Sequence, residues 1–307
     1  MVLPEASIQC RLKMPDCQIC VDYGKKIPVE MVDSQIAGSA PNVAVGLARM
    51  KLKTAVASIM GSDGTRKLAY EVLKRESVAT RYIETHKDAQ SSYSVVLNYH
   101  GERTILAAHT RCVYVLPARL PTKWLYLSEL GVGYERLFTQ IAKHVDRTKI
   151  SLVFNPGAIQ IKERKKILFD LIKRSAVLFT NLEEAQTITG EQTNEVHRLA
   201  TSLYKLGAKH VVITDGKNGA YSFDGKETRH CGVFPSKLVE ATGAGDAFAS
   251  GFLGAILNKQ TPVEALRWGS VNAASVIEFV GPQKGLLSTT QIKVRLKKNP
   301  KFKVMDI

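Results

Sequence analysis

Two glycines and an alanine stand directly before one carboxylate in the run Gly243-Ala244-Gly245-Asp246, and an apolar stretch follows over 247–257. A glycine-rich turn that feeds a helix leaves the first backbone N–H groups unpaired and pointing outward. Together with the helix dipole they form a site for anions, phosphate in particular. Gly243 and Gly245 carry no side chains, so a phosphate can approach the backbone closely. Asp246 falls in the first turn, where the dipole favours its ionised form. An ionised carboxylate beside an anion hole is a suitable base for a hydroxyl attacking a phosphoryl group. A capping aspartate after a flexible loop is the plainer reading of the same residues. The segment is not a Walker A loop, since no Gly-Lys-Ser/Thr follows, and it is not a G-x-G-x-x-G turn after a strand.

The elements that must position this turn follow a regular rhythm. From about residue 40, "KTAVASI", "KWLYLSEL", "ISLVFNP", "AVLFTN" and "HVVIT" alternate with helical patterns such as "TRKLAYEVLKRE" and "YERLFTQIAKHV". Short Val/Ile/Leu-rich strands between helices predict βαβ units, a mostly parallel sheet and helices on both faces. Ligands in such sheets gather at the carboxyl ends of the strands. Two stretches break the rhythm. "SSYSVVLNYHGERTIL" alternates like a hairpin turning at His100-Gly101, and "QICVDYGKKIPVEMVDSQIAG" reads as extended segments broken at Gly24 and Pro28. They predict a small sheet standing off the main one, which is a lid over a cleft, a plain edge extension or a dimer surface. The C-terminal third is predicted helical over 246–258, then over 262–280 with Gly281 as C-cap, then over about 288–298.

Bulk composition narrows the classes. The chain has 307 residues, a size that one large α/β domain fills. No stretch approaches the roughly 20 consecutive apolar residues that span a bilayer, and the N-terminus lacks an apolar signal core, so a cytoplasmic protein is expected. The net charge is +15, but the basic residues are dispersed apart from 162–166 and 293–303, and neither cluster is interleaved with aromatics. Neither nucleic acid nor membrane is an expected partner; a basic field also suits polyphosphate ligands. Five cysteines (Cys10, Cys17, Cys20, Cys112 and Cys231) argue against a disulfide framework, and the single Cys17-x-x-Cys20 pair lacks a second pair at zinc spacing.

The run TGAGDAFASGF (242–252) resembles the C-terminal signature of the ribokinase/PfkB family of sugar and nucleoside kinases. Three further segments match in order. AGSAPNVAVGLARM (37–50) is similar to the family's substrate segment, with Ala37 in place of the first glycine. NLEE (181–184) fits its Asn-x-x-Glu motif, and TDGKNG (214–219) fits its nucleotide loop. The resemblance spans roughly residues 20 to 285. It implies a ribokinase-like three-layer α/β/α fold with a mostly parallel central sheet and a small β-sheet lid. The whole chain, 1–307, would form a single kinase domain with lid segments at about 18–37 and 91–107.

By the same resemblance Asp246 is the catalytic base, and Gly243, Ala244 and Gly245 form the anion hole. Gly38 and Asn42 contact substrate. Apart from the resemblance, Arg103 on the second arm of the hairpin is a candidate contact to substrate or phosphate, with a solvated strand residue as the plainer reading. Asn181, Glu184, Thr214, Gly216, Gly219 and Asn272 serve the nucleotide, and Glu184 also serves magnesium. The implied activity is ATP-dependent phosphorylation of a primary sugar hydroxyl, with Mg2+ as cofactor. A monovalent cation site accompanies it in many members, where Asp-Thr stands in place of Glu240-Ala241. A homodimer through the lid is a further expectation. On the residues alone, Asn42 is a polar first-turn residue, Glu184 a solvated first-turn glutamate, and Gly216 and Gly219 turn glycines.

Members usually begin with a strand that ends in a Gly-rich stretch and an aspartate gripping two sugar hydroxyls. That element is not found in EASIQCRLKMPDCQICVDYG, where Asp16 and Asp22 stand in a different context. The alternatives are therefore a nucleoside (adenosine-like) kinase, or a nucleotide- or sugar-binding protein impaired in catalysis by the missing strand. An unrelated dehydrogenase would instead bind NAD.

Overall fold

The computed structural model describes residues 8–10, 19–21, 24–29, 32–87, 89–99, 102–108 and 110–307. Near the N-terminus β1 (Ile8–Cys10) pairs antiparallel with β2 (Ile19–Val21). Helix α1 (Ser39–Arg49) leads to β3 (Ala55–Gly61), α2 (Gly64–Arg75) and β4 (Ala79–His86), and β3 and β4 pair in parallel. The antiparallel hairpin of β5 (Tyr93–Tyr99) and β6 (Glu102–Ala108) forms its own two-stranded sheet.

The βα rhythm then resumes with β7 (Trp124–Leu127), α3 (Glu135–Thr148) and β8 (Ser151–Phe154). Helices α4 (Ala158–Glu163) and α5 (Lys166–Ile172) precede β9 (Ser175–Asn181), and α6 (Leu182–Thr189) and α7 (Val196–Lys205) precede β10 (Val211–Thr214). Strands β11 (Ala220–Phe223) and β12 (Thr228–Cys231) meander back, and α8 (Ala244–Leu257), α9 (Pro262–Val276), α10 (Thr289–Lys298) and β13 (Val304–Asp306) complete the chain.

Seven strands run in the order β13-β12-β11-β10-β9-β8-β7, parallel from β7 to β10 and antiparallel from β10 to β13. The central sheet is thus mixed. Alternation along its strands divides the core into two layers. Val153, Val177, Phe179 and Val212 face a cluster built from α1, α8, α9 and α10. Leu152, Phe154, Leu178, Val211 and Ile213 face the opposite cluster, built from α3 to α7. Helix α8 is buried from Ala247 to Ala255, as expected of a helix apolar on every side.

The β3–β4 pair is not joined to the seven-stranded sheet, and among the described residues no strand pairs with the second edge of β3 or β7. A cleft of about 420 Å3 lies there, lined by Val56 to Gly61 of β3 and by Leu125 to Ser128 at β7. It also reaches Gly38 and Glu129.

One sequence expectation changes. Helix α9 ends at Val276, short of Gly281, and Ile277 is its C-cap. The Ile277 carbonyl accepts the N–H groups of Val239 and Glu240 at 2.8 and 3.2 Å, so a neighbouring segment satisfies the helix end and no glycine cap is needed there. Gly281 instead lies in the following loop at φ 94°. In the expected lid segment 18–37 the described residues include β2, and those between 24 and 38 carry no helix or strand. The turn His100-Gly101, residues Cys17, Asp16 and Asp22, and the side chains of Cys10, Cys20 and Arg103 lie outside the described residues. Cys112 and Cys231 are free thiols, and no cluster of three or more His, Cys, Asp or Glu able to hold a metal occurs among the described residues.

Candidate functional site

The turn before α8 takes the form its glycines permit. Gly243 is the N-cap at φ 78°, a left-handed conformation, and a Cβ there would lie 2.5 Å from Cβ of Pro282. Both the dihedral and the close approach of the 281–286 loop therefore require glycine. A Cβ at Gly245 would meet nothing within 4 Å, so the helix start is open on that side. Of the first-turn N–H groups, that of Ala244 turns back to the Ala241 carbonyl at 3.3 Å. Asp246 sits in this first turn, and the Oγ1 of Thr242 is buried without a partner.

Asn42 comes from the opposite end of the sequence. Helix α1 starts at Gly38, whose φ of 119° is open to glycine alone, and the Asn42 N–H closes the first turn on the Gly38 carbonyl at 3.0 Å. The Asn42 side chain is 3% exposed, and its Nδ2 donates to Oδ2 of Asp246 at 2.8 Å. Residues 204 positions apart thus meet at the mouth of α8. The Oγ of Ser39, one residue into the same helix, donates to Oε1 of Glu129 at 3.4 Å.

The carboxyl ends of the parallel strands each release a polar residue. Glu129 follows β7, Asn155 follows β8, Asn181 ends β9 and Asp215 follows β10. The Tyr126 hydroxyl donates to Oδ1 of Asn155 at 3.1 Å, and Asn155 Nδ2 donates to the Phe179 carbonyl at 3.1 Å. Burial first, and then the negative charge of Asp246, Glu129 and Glu184, hold the Tyr126 hydroxyl well above the usual range. The phenol thus lies in the field of three carboxylates, one from the loop after β7, one from α6 and one from α8.

Asn181 and Glu184 form a capping box at the start of α6. The Glu184 N–H donates to Asn181 Oδ1 at 2.8 Å, and the Asn181 N–H donates to Glu184 Oε2 at 2.9 Å. Burial raises the Glu184 carboxyl above the usual glutamate range; the Asn181 N–H opposes this, and Glu129 and Glu183 add to it.

Thr214 ends β10, with its Oγ1 3.5 Å from the Thr180 carbonyl. Gly216 opens the short turn that follows at φ 46°, with free space where a Cβ would stand. Gly219 ends that turn at φ 92°, and a Cβ there would lie 2.2 Å from the Cys231 carbonyl oxygen. Its lack of a side chain accommodates the backbone of β12.

Asn272 is fully buried on α9. Its Nδ2 donates to the Ala247 carbonyl at 2.8 Å and to Ser250 Oγ at 3.0 Å, while its Oδ1 accepts the Leu287 N–H at 2.9 Å. The structure does not bring its amide to the crevice. Arg103 is placed on β6 opposite Asn98.

Glu129, Tyr126, Asn155 and Gln283 are site-proximal residues absent from the sequence expectations, and Glu240, noted there only beside a cation site, takes a different part. A signal for the first three is present in the letters: a polar or aromatic hydrogen-bonding residue at the end of each parallel strand. Glu240, 4% exposed, accepts the Gly281 N–H at 2.8 Å, a contact across 41 residues that no local pattern announces.

The sequence profile described as pfkB family carbohydrate kinase matches residues 5–289. An ATP-dependent 6-phosphofructokinase of Thermoanaerobacterium thermosaccharolyticum is 25% identical over 287 residues, covering 86% of this chain and 85% of the relative. A cytidine kinase of Thermococcus kodakarensis is 34% identical over 136 residues, 43% of this chain and 48% of that protein. Among solved structures, an Arabidopsis thaliana ribokinase complexed with ribose and ATP superposes with a TM-score of 0.77 at 21% identity, over 90% of this chain and 92% of that one. At that identity the superposition speaks for a ribokinase-like fold. With the signature turn, the strand-end polar row and a profile match over nearly its full length, the chain belongs to the pfkB family of carbohydrate kinases.

Proposed function

We propose that the chain is an ATP-dependent kinase that phosphorylates a primary hydroxyl of a sugar. The observation that carries this reading is the 2.8 Å hydrogen bond from Asn42 to Asp246 at the open N-terminus of α8. It joins a residue of the substrate segment to the carboxylate of the signature turn. Asp246 takes the proton of the attacking hydroxyl. The N–H groups of the 243–246 turn steady the charge on the phosphoryl group in transfer. Gly38, Asn42 and Glu129 line the sugar end. Arg103, on the hairpin strand β6, is the candidate contact to substrate or phosphate. Thr214 and Gly216 line the nucleotide end, with Gly219 shaping their turn, and Asn272 holds α8 from behind.

The acidic donors fit magnesium. Glu184 is raised by burial and by Glu129 and Glu183, so a divalent cation beside it would relieve like-charge repulsion. Magnesium is characteristically held by one or two carboxylates with phosphate oxygens supplying the rest, and Asn181 and Glu184 would provide the protein share. When bound, the ion neutralises charge on the phosphates. The Glu240 carboxylate, where a monovalent cation site would lie, already accepts the Gly281 N–H.

Two features support the setting. Tyr93, Ile105 and Leu106 are exposed apolar side chains on the β5–β6 hairpin, which supports a homodimer through it. The free thiols of Cys112 and Cys231 support a reducing, cytoplasmic compartment.

A second reading is favoured by the cleft between β3 and β7, where the sheet is interrupted beside the substrate end. On that reading the chain binds nucleotide and sugar but turns over poorly. ADP release over a panel of sugars and nucleosides separates the two. Turnover that Asp246→Asn lowers by at least about a hundredfold, with ATP affinity within about twofold, is the expected result. Retention of more than about a tenth of wild-type kcat by that variant would remove the base role. Intact ATP binding without turnover on any substrate would favour the second reading.

A further inference from the structure

A side-chain amide looks nearly the same either way round, yet its two edges are chemically opposite. For Asn42 the difference matters: an N–H edge against Asp246 is attractive, whereas a carbonyl edge would set oxygen against carboxylate. A short chain of contacts fixes the choice. The side chain of Gln283, a residue 9% exposed, places its Nε2 3.0 Å from the Ile36 carbonyl and 3.0 Å from Asn42 Oδ1. A backbone carbonyl can only accept. Gln283 must therefore present its NH2 group on that side, Asn42 must present its oxygen to Gln283, and the Asn42 NH2 group is left facing Asp246.

The backbone that carries Gln283 is itself fixed. The Arg49 guanidinium donates to the carbonyls of Gln283 at 2.9 Å and Leu286 at 2.8 Å while forming a two-pronged ion pair with Glu76, both contacts at 2.8 Å. Gly281 is held by Glu240, and Pro282 lies against Gly243. The 281–286 loop thus touches the signature turn, the substrate asparagine and the strap at Ile36 at once.

We infer that Gln283 is a positioning residue for phosphoryl transfer: it sets which edge of Asn42 faces the base, and it ties that setting to the backbone at Ile36. The inference rests on the kinase reading above, in which Asp246 is the base.

Two substitutions test it. Gln283→Glu keeps the shape but removes the donor, so Asn42 turns its NH2 group to the new carboxylate and its carbonyl to Asp246. Gln283→Leu removes the donor without reversing the preference. The expected order of kcat is wild type, then Leu, then Glu. The glutamate variant should fall by about tenfold or more with KM for ATP within about twofold. A merely space-filling role gives the opposite order, because glutamate is the closer shape. Urea unfolding verifies that both variants fold.

A second readout does not depend on turnover. In nitrogen-15-edited NOE spectra of the full chain, the Asn42 side-chain amide protons should move their contacts from Asp246 to the side chain at position 283 in Gln283→Glu and keep those to Asp246 in Gln283→Leu. Equal kcat in all three proteins, a Leu variant below the Glu variant, or unchanged Asn42 signals would each overturn the inference. If wild type shows no turnover, or Asp246→Asn retains it, the kinase reading fails instead, and the Asn42 signals alone decide the orientation.

Discussion

At the residue scale, buried ionisable and polar groups decide the chemistry and much of the pH response. Asp246 gains its candidate role from its surroundings: an open helix start on one side and a donated Asn42 N–H on the other. His210, half-buried as a residue, shows what shielding an imidazole from water costs. Burial lowers its imidazole from 6.5 to about 4, Asp224 opposes this, Arg229 adds to it, and Nε2 has no hydrogen-bond partner. The unfolded chain binds this proton near pH 6.5, and the folded chain does so only near pH 4. The neutral ring therefore supports the fold fully above the unfolded value, and that support is lost as pH falls through this window, by at most about 3 kcal/mol. His210→Leu should flatten the fall in urea midpoint between about pH 7 and about pH 5. A variant whose midpoint falls as steeply as wild type would show that the loss arises elsewhere.

At the element scale, the packing of α8 against α9 is held by one buried amide. Asn272 satisfies the Ala247 carbonyl, the Ser250 hydroxyl and the Leu287 N–H together. Replacing it with a similarly shaped apolar residue leaves the buried Leu287 N–H without its acceptor, while Ser250 Oγ still donates to the Ala247 carbonyl at 3.0 Å. Asn272→Leu should lower unfolding stability by roughly 2–4 kcal/mol, while the folded protein keeps its ATP affinity within about twofold. Calorimetry and a nucleotide titration at low temperature check the two halves. A weakened ATP site in a fully stable variant would return Asn272 to the nucleotide. The motif letters around 272 are the same on either account, because a sequence does not say which face of a buried helix meets ligand and which meets a neighbouring helix.

At the scale of the whole molecule, the sheet is not continuous between β3 and β7 among the described residues. Strand β9 is paired on both sides, whereas β3 and β7 each keep one edge without a strand partner among the described residues. Backbone groups on such edges are reached by water. Alternate amides of β3 and β7 should exchange at least about tenfold faster than those of β9 in native-state hydrogen exchange. Equal protection would mean that these edges are covered in solution. The same cleft reaches Gly38 and Glu129, so whatever orders the sheet there also borders the sugar end of the candidate site. No helix among the described residues is long and apolar enough to cross a membrane.

Local pattern sufficed for much of this. The alternation of apolar strands and helices foretold the parallel run β7 to β10, and 242–252 carried the turn and its carboxylate, because these features are written in neighbouring residues. The alternating hairpin at 93–108 was legible for the same reason. What needed the tertiary structure lies across distance. The bond between Asn42 and Asp246 spans 204 residues, that between Gln283 and Asn42 spans 241, and that between Gly281 and Glu240 spans 41. Asn272 had the right spacing for a ligand contact and the wrong burial, and α9 stopped short of Gly281 because a distant segment satisfied its last carbonyl. Sequence by itself determined the elements, since propensity and periodicity act over a few residues, and the family through its motifs and the profile match over 5–289. Only the folded chain decided which polar groups face one another, because that depends on which elements pack together and on which buried donors and acceptors are already paired.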